Sequence, residues 1–257
     1  MGLRRQLIAL YTIVRKEIIR ILRIWLQTIV PPVITMTLYF IIFGNLIGRR
    51  IGEMGGFDYM QYMAPGLIMM SVITNSYGNV VSSFFAAKFQ GHLQEMLVAP
   101  VSSYVIILGH VIGGIFRGVL VGGVVTVVAL FFTDLQVQHP VIAISILILT
   151  ATVFSLAGMI NAIFARKFDD VAIIPSFVLA PLTYLGGVFY TISLLPDFWA
   201  RVSSFNPILY MVNGFRYGVL GVSDIDITTA FLVILVFVVL AFMTCYYLIE
   251  KGIGIRE

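Results

Sequence analysis

The residue types that ordinarily carry chemistry are few in this chain, and their spacing argues against most catalytic uses. The three histidines, His92, His110 and His139, are far apart, and neither an HExxH helix nor a GxSxG elbow is present. A hydrolase would then depend on convergence supplied by tertiary structure alone. The single cysteine, Cys245, lies in an apolar run; it has no partner for an internal disulfide or a cysteine-built metal site and reads as a packing residue. No GxxxxGK[ST] loop occurs, so the chain lacks the backbone cradle and lysine that hold nucleotide phosphates. No cofactor is implied. What remains is one arginine, Arg117, inside a long apolar run, with Asn75, Ser76, Asn79, Ser82, Ser83 and Thr183 as uncharged polar residues in other such runs. An arginine in hydrocarbon is costly, so Arg117 should face protein or water and pair with carbonyls, a carboxylate or a substrate anion. The uncharged set suits an amphipathic solute and serves equally well to bond neighbouring helices.

The elements that hold these residues follow from composition. Of 257 residues, 60% are hydrophobic and 11% charged, which calls for lipid as solvent. A bilayer core of roughly 30 Å takes about 20 helical residues. Six runs satisfy that length, at about 26–48, 59–87, 104–133, 141–165, 171–195 and 227–249, and Arg117 in the third is the only charge among them. They lack the alternation of barrel strands. The expected fold is an all-α integral membrane protein with six transmembrane helices: an amphipathic segment over 1–25, then one transmembrane domain over 26–257. No carboxylate falls within the six runs, which counts against the alternative of an ion-gradient-driven secondary transporter.

Basic residues orient the chain. Arg4, Arg5, Arg15, Lys16, Arg20, Arg23, Lys88, Arg166, Lys167, Lys251 and Arg256 fall on one side of the six runs, and Arg49, Arg50, Arg201 and Arg216 on the other. The richer side should be cytoplasmic, with both termini there. Because the basic residues cluster beside apolar runs, anionic lipid explains the formal net charge of +4, and no nucleic-acid partner is expected. The basic start also continues into an amphipathic helix without a small-residue cleavage site, which argues against a cleavable signal peptide.

In that helix Leu3, Leu7, Leu10, Val14, Ile18, Ile21 and Trp25 form an apolar stripe, with Lys16, Arg20 and Arg23 on the other side. The pattern predicts a helix flat on the cytoplasmic surface, basic side chains near lipid phosphate, serving as an anchor or as a lever against a partner. Between the second and third runs, residues 88–100 suit a short amphipathic helix stopped by Pro100. Its His92, Gln94, Glu95, Met96 and Leu97 resemble a contact for another protein, the alternative being an ordinary connecting loop. Pro31, Pro32, Pro175 and Pro181 predict kinks, as hinges or simple bends. Gly109 and Gly113, and separately Gly114, Gly118 and Gly122, let a helix approach closely, within the chain or from a second subunit. Residues 196–221, aromatic and split at Asn206-Pro207, predict two re-entrant half-helices at the outer interface before the sixth run.

At these residues the chain resembles the bacterial ABC-2 type permeases, membrane subunits of ATP-binding-cassette exporters for polysaccharides, lipid-linked sugars, drugs and other amphipathic compounds. Leu179, Leu182, Leu185, Gly186, Val188, Leu195, Pro196, Pro207, Ile208, Tyr210 and Arg216 fit that family's spaced pattern. The resemblance implies two permease subunits and two copies of a separate cytoplasmic ATPase; with six spans in this chain, self-pairing into a homodimer is the simplest way to complete a twelve-helix pathway, a related second permease being the alternative. ATP-driven closure would push on the coupling helix after the second span and on the N-terminal helix. It also implies the bacterial inner membrane as the location.

Overall fold

A computed structural model describes residues 2–255; Arg256 and the side chain of Arg49, both in the charge comparison above, lie outside the described residues. Helix α1 (Leu3–Arg23) ends at a turn on Ile24, and α2 (Trp25–Tyr39) starts at once. It stays helical across Pro31 and Pro32 and widens into a π-helical stretch, Phe40–Gly48. After the short α3 (Arg49–Ile51) come strands β1 (Glu53–Met54) and β2 (Phe57–Asp58), antiparallel with Met54 opposite Phe57. This hairpin departs from the all-α expectation. Gly55 and Gly56, at φ +61° and +81°, allow its tight turn.

The long α4 (Tyr59–Phe89) opens on Asp58, whose carboxylate accepts from the Met60 N–H. Then follow α5 (His92–Val98), α6 (Ser103–Leu130) and α7 (Pro140–Phe164). The region expected as a fifth span over 171–195 is shorter and broken: α8 (Phe168–Ile174), a π turn (Pro175–Leu179) and α9 (Ala180–Tyr184). At Pro175 the ladder widens, and the Ala180 N–H reaches the Pro175 carbonyl. The helix stops where Gly186 and Gly187 follow, the latter at φ +71°, so the chain turns well before Leu195. Helices α10 (Asp197–Ser204) and α11 (Pro207–Leu220) precede α12 (Ile227–Lys251).

Among the described residues, four helices are long and apolar enough to cross a bilayer: Trp25–Gly44, Ser103–Leu130, Pro140–Phe164 and Ile227–Lys251. Helix α4 is longer than any of them but more polar, because protein rather than lipid is its main solvent: it sits among α6, α7 and α11, with Met63, Leu67, Ile73 and Phe84 fully buried. Helix α12 is the reverse case, exposing Leu232, Leu235, Val236, Val239, Leu240 and Met243, a face suited only to hydrocarbon.

Long-range hydrogen bonds define two ends. At one, Gln6 Nε2 donates to the Pro100 carbonyl (3.2 Å), Ser103 Oγ bonds Glu250 (2.7 Å), and Lys88 Nζ caps α7 through the Ile163 and Ala165 carbonyls (2.6 and 2.8 Å). At the other, Gln61 Nε2 reaches the Asp134 carbonyl (3.1 Å) and Tyr62 Oη reaches Asp224 (3.4 Å). The first end gathers Arg4, Arg5, Lys16, Lys88, Arg166, Lys167 and Lys251 and is the basic end.

Candidate functional site

At the basic end α5 lies across α1. Gly91, at φ +79°, makes the turn that starts α5, and Leu93 anchors it, fully buried. His92 and Glu95 point outward, with His92 Nδ1 3.8 Å from the Glu95 carboxylate. Together with Met96 they form one wall of a cleft of about 510 Å³, and Ala9, Thr12, Ile13 and Lys16 of α1 form the other. Gln94 faces away, toward Lys88, Arg166 and Gly254, while Leu97 packs against the core. Thus His92, Glu95 and Met96 meet Lys16, whereas Gln94 and Leu97 do not join them. Nearby, the Arg166 and Lys167 N–H groups donate to Asp170 Oδ2 (2.8 and 2.9 Å), and these bonds hold the Asp170 carboxyl below the usual aspartate range.

Helix α1 is not simply laid on a surface. Its inner side is Ile13, Glu17 and Ile21, which seats against α6 at the first glycine pair: a Cβ on Gly109 would lie 2.5 Å from Ile13 Cγ2, and one on Gly113 2.7 Å from Glu17 Cβ. Leu3, Leu7 and Trp25 of the expected stripe are exposed, as are Lys16 and Arg23. Arg20, expected near lipid phosphate, turns inward, where its guanidinium pairs with Glu17 (2.8 Å) and donates to Asn79 Oδ1 (2.7 Å) on α4. Protein acceptors replace lipid ones. Glu17 and Asn79 are therefore the acceptors of Arg20, which the apolar pattern of α1 did not disclose; for Glu17 the visible signal was its four-residue spacing from Ile13 and Ile21. The second glycine set faces elsewhere: Cβ atoms on Gly114, Gly118 and Gly122 would collide with Ser155, Ser76 and Val72, so α7 and α4 are their partners.

Arg117 projects from the middle of α6 into a cavity of about 300 Å³ between α2 and α4, lined by Gln27, Pro31, Pro32, Thr35, Met36, Met70, Ser71, Thr74 and Asn75. No carboxylate lines it, and the buried Arg117 Nε has no hydrogen-bond partner among the described residues. The histidines do not converge: His92 is at the basic end, His110 is buried edge-on to Phe84, and His139 stacks on Tyr217.

The spaced motif after α9 forms a joint. Arg216, counted above with the outer loop charges, is fully buried, and this is a correction: Nε donates to the Tyr62 carbonyl (3.3 Å), Nη1 to Asn213 Oδ1 (3.4 Å) and Nη2 to the Gly187 carbonyl (2.7 Å), with the guanidinium 4.0 Å over the Tyr62 ring. It unites α11, α4 and the turn at Gly187. Ile208 fills the space beside Gly186, Val188 lies with its backbone against Gly66 of α4, and Leu179 is buried. Asn206 caps α11 and also reaches the Leu182 carbonyl (2.6 Å); Pro207 occupies the first helical turn, and Tyr210 Oη bonds the Ser204 carbonyl (2.8 Å). Leu185 and Leu195 are half-buried, and Pro196 is exposed at the start of α10.

Comparison with known proteins places the chain by its sequence. The chain is 59% identical to the inner membrane transport permease YadH of Escherichia coli (strain K12) over 250 residues, covering 97% of this chain and 98% of that one. It is 22% identical to nodulation protein J of Rhizobium leguminosarum bv. trifolii over 215 residues, 83% and 82% of the two chains. The sequence pattern of the ABC-2 type transporter family matches residues 8–220, from the second turn of α1 to the last residue of α11, and the chain belongs to that family.

Proposed function

We propose that this chain is the permease subunit of an ATP-driven exporter, providing the transmembrane route for an amphipathic substrate, such as a lipid-linked saccharide, a polysaccharide or a drug-like compound. A separate cytoplasmic ATPase, in two copies, works on a homodimer of the permease in the bacterial inner membrane. Six crossings, counting α4 and the α8–α9 segment with the four long apolar helices, keep both termini on the cytoplasmic side. The observation that carries the reading is the cleft between α1 and α5 at the basic end, where His92, Glu95 and Met96 face Lys16. A membrane conduit has little use for such a socket unless another protein seats in it.

Force applied there has a route inward. Helix α1 is tied to α4 through Arg20 and Asn79, and α4 exposes Thr74 and Ser82, one turn either side of Gly78. These are polar and small where α12 exposes leucine and valine, so this side of α4 suits a solute path better than lipid. Closure of the ATPase subunits would shift α1 and α5 against α6 and swing that face of α4, expelling substrate outward. The ion-gradient alternative needs a carboxylate free to exchange an ion. Glu17 is buried deeply enough but is engaged by Arg20 at 2.8 Å.

Gentle purification of the tagged chain should recover a nucleotide-binding-cassette subunit at one copy per permease, and Glu95→Ala with Met96→Ala should detach or uncouple it. Full ATPase retention and transport in that variant would remove the docking role from α5. Cargo movement by the permease alone in liposomes would remove the ATP-driven reading itself.

A further inference from the structure

We propose that the cavity between α2, α4 and α6 is a head-group subsite in which Arg117 binds the oxyanion, phosphate or carboxylate, of an anionic amphiphile. The inference rests on the permease reading above and adds a chemical class to its substrate. The other two guanidiniums held inside the helix assembly have protein acceptors: Arg216 has three, and Arg20 has Glu17 and Asn79. Arg117 has none among the described residues, and its Nε is already shut off from solvent. An uncompensated arginine near the middle of a membrane helix is expensive to keep, and a ligand anion is the compensation the cavity leaves room for. The charge of Arg20 acts on the same region, and Glu17, the carboxylate beside Arg20, is taken up by it.

The walls describe the rest of the ligand. Thr74 and Asn75 present polar atoms on the α4 side, and Pro31 and Met36 present apolar ones on the α2 side. Thr74 and Asn75 each spend a donor on their own helix, at the Met70 and Ser71 carbonyls, and Gln27 and Thr35 add neutral polar groups, so Arg117 is the one charged donor in the cavity lining. About 300 Å³ accommodates a charged head group and the first part of a chain, not a whole lipid or glycan. The cavity opens through exposed Pro31, Thr35 and Thr74, a side exit for the remainder. A planar guanidinium fork suits two oxygens of one oxyanion better than a neutral sugar.

The test uses the full chain in neutral maltoside detergent without its ATPase, so binding is read separately from transport. Native mass spectrometry titrates dodecyl phosphate against dodecanol, with inorganic phosphate and phosphatidylglycerol as competitors, for the unmodified chain, Arg117→Gln and Arg117→Lys. The expected result is saturable dodecyl phosphate binding, weakened at least about tenfold in Arg117→Gln and less in Arg117→Lys, with no Arg117 dependence for dodecanol. Competition by phosphatidylglycerol identifies a bilayer lipid as a source of the anion, and competition by inorganic phosphate alone identifies the free ion; either supports oxyanion recognition. Thermal unfolding checks that Arg117→Gln is folded; if it is not, Arg117→Lys must still bind more weakly than the unmodified chain. Equal dodecyl phosphate binding in folded Arg117→Gln, or no saturable binding to the unmodified chain, overturns the proposal. An ATPase that never co-purifies would count against the permease reading while leaving the binding result intact.

Discussion

Single residues set how closely the helices approach. A Cβ on Gly158 of α7 would lie 2.6 Å from the Tyr77 carbonyl oxygen of α4, and backbone cannot swing aside as a side chain can. Gly158→Ala should therefore cost about 1–3 kcal/mol and lower the thermal midpoint in detergent. Gly123→Ala meets open space on the same scale of substitution and should leave that midpoint unchanged or raise it, by up to about 1 kcal/mol of helix propensity. Asp170 offers a pH readout. Its folded pKa is depressed by the two N–H bonds from Arg166 and Lys167, so its contribution is present above the ordinary aspartate range and is lost as pH falls through the lower folded value. Asp170→Asn should speed amide exchange at Arg166 and Lys167 at neutral pH, and the difference from the unmodified chain should shrink in acid.

Between elements, the linkage of α1 to α4 is the feature most open to measurement. Glu17 is buried, but the Arg20 side chain is 28% exposed, so loss of this pair should fall below the figure for a fully buried one. Glu17→Ala is expected to lower stability by about 2 kcal/mol, measured by thermal or denaturant unfolding in detergent. Because Arg20 bonds Glu17 and Asn79 at once, a double-mutant cycle of Glu17→Ala with Asn79→Ala should give a coupling energy above about 0.5 kcal/mol. Additive effects would mean that Arg20 is not a shared node and that α1 moves independently of α4.

For the molecule as a whole, the joint at Arg216 holds the end opposite the α1–α5 cleft. Arg216→Met would leave the Gly187 carbonyl without its donor and take one donor each from the Tyr62 carbonyl and the Asn213 amide oxygen, which keeps the Asp224 N–H (3.1 Å), costing about 2 kcal/mol and opening the α10–α11 region to protease. Arg216→Lys should rescue little, because an ammonium cannot reproduce the planar three-way donation or the stacking on Tyr62. The two exterior faces should also differ in solvent. In a Cys245→Ala background, Thr74→Cys and Ser82→Cys on α4 should react with a membrane-impermeant thiol reagent, while Leu235→Cys and Val239→Cys on α12 should not. Equal protection of all four positions would remove α4 from the wall of the route.

Local pattern was sufficient for the α12 and α7 helices, for the short helix at His92–Val98 and for the break at Asn206-Pro207, because run length, caps and prolines act within a few residues. The class of molecule followed from the same runs, since a chain this apolar has one suitable solvent. How each helix is rotated about its axis was another matter. A helix apolar on every side carries no period that says which face turns inward. So the division of the α6 glycines between α1 and the α4–α7 pair, and the inward turn of Arg20, were decided only by packing. The same holds for polar partners distant in the chain: Arg20 and Asn79 are 59 residues apart and Arg216 and Tyr62 are 154 apart, separations at which neighbouring residue types say nothing about contact.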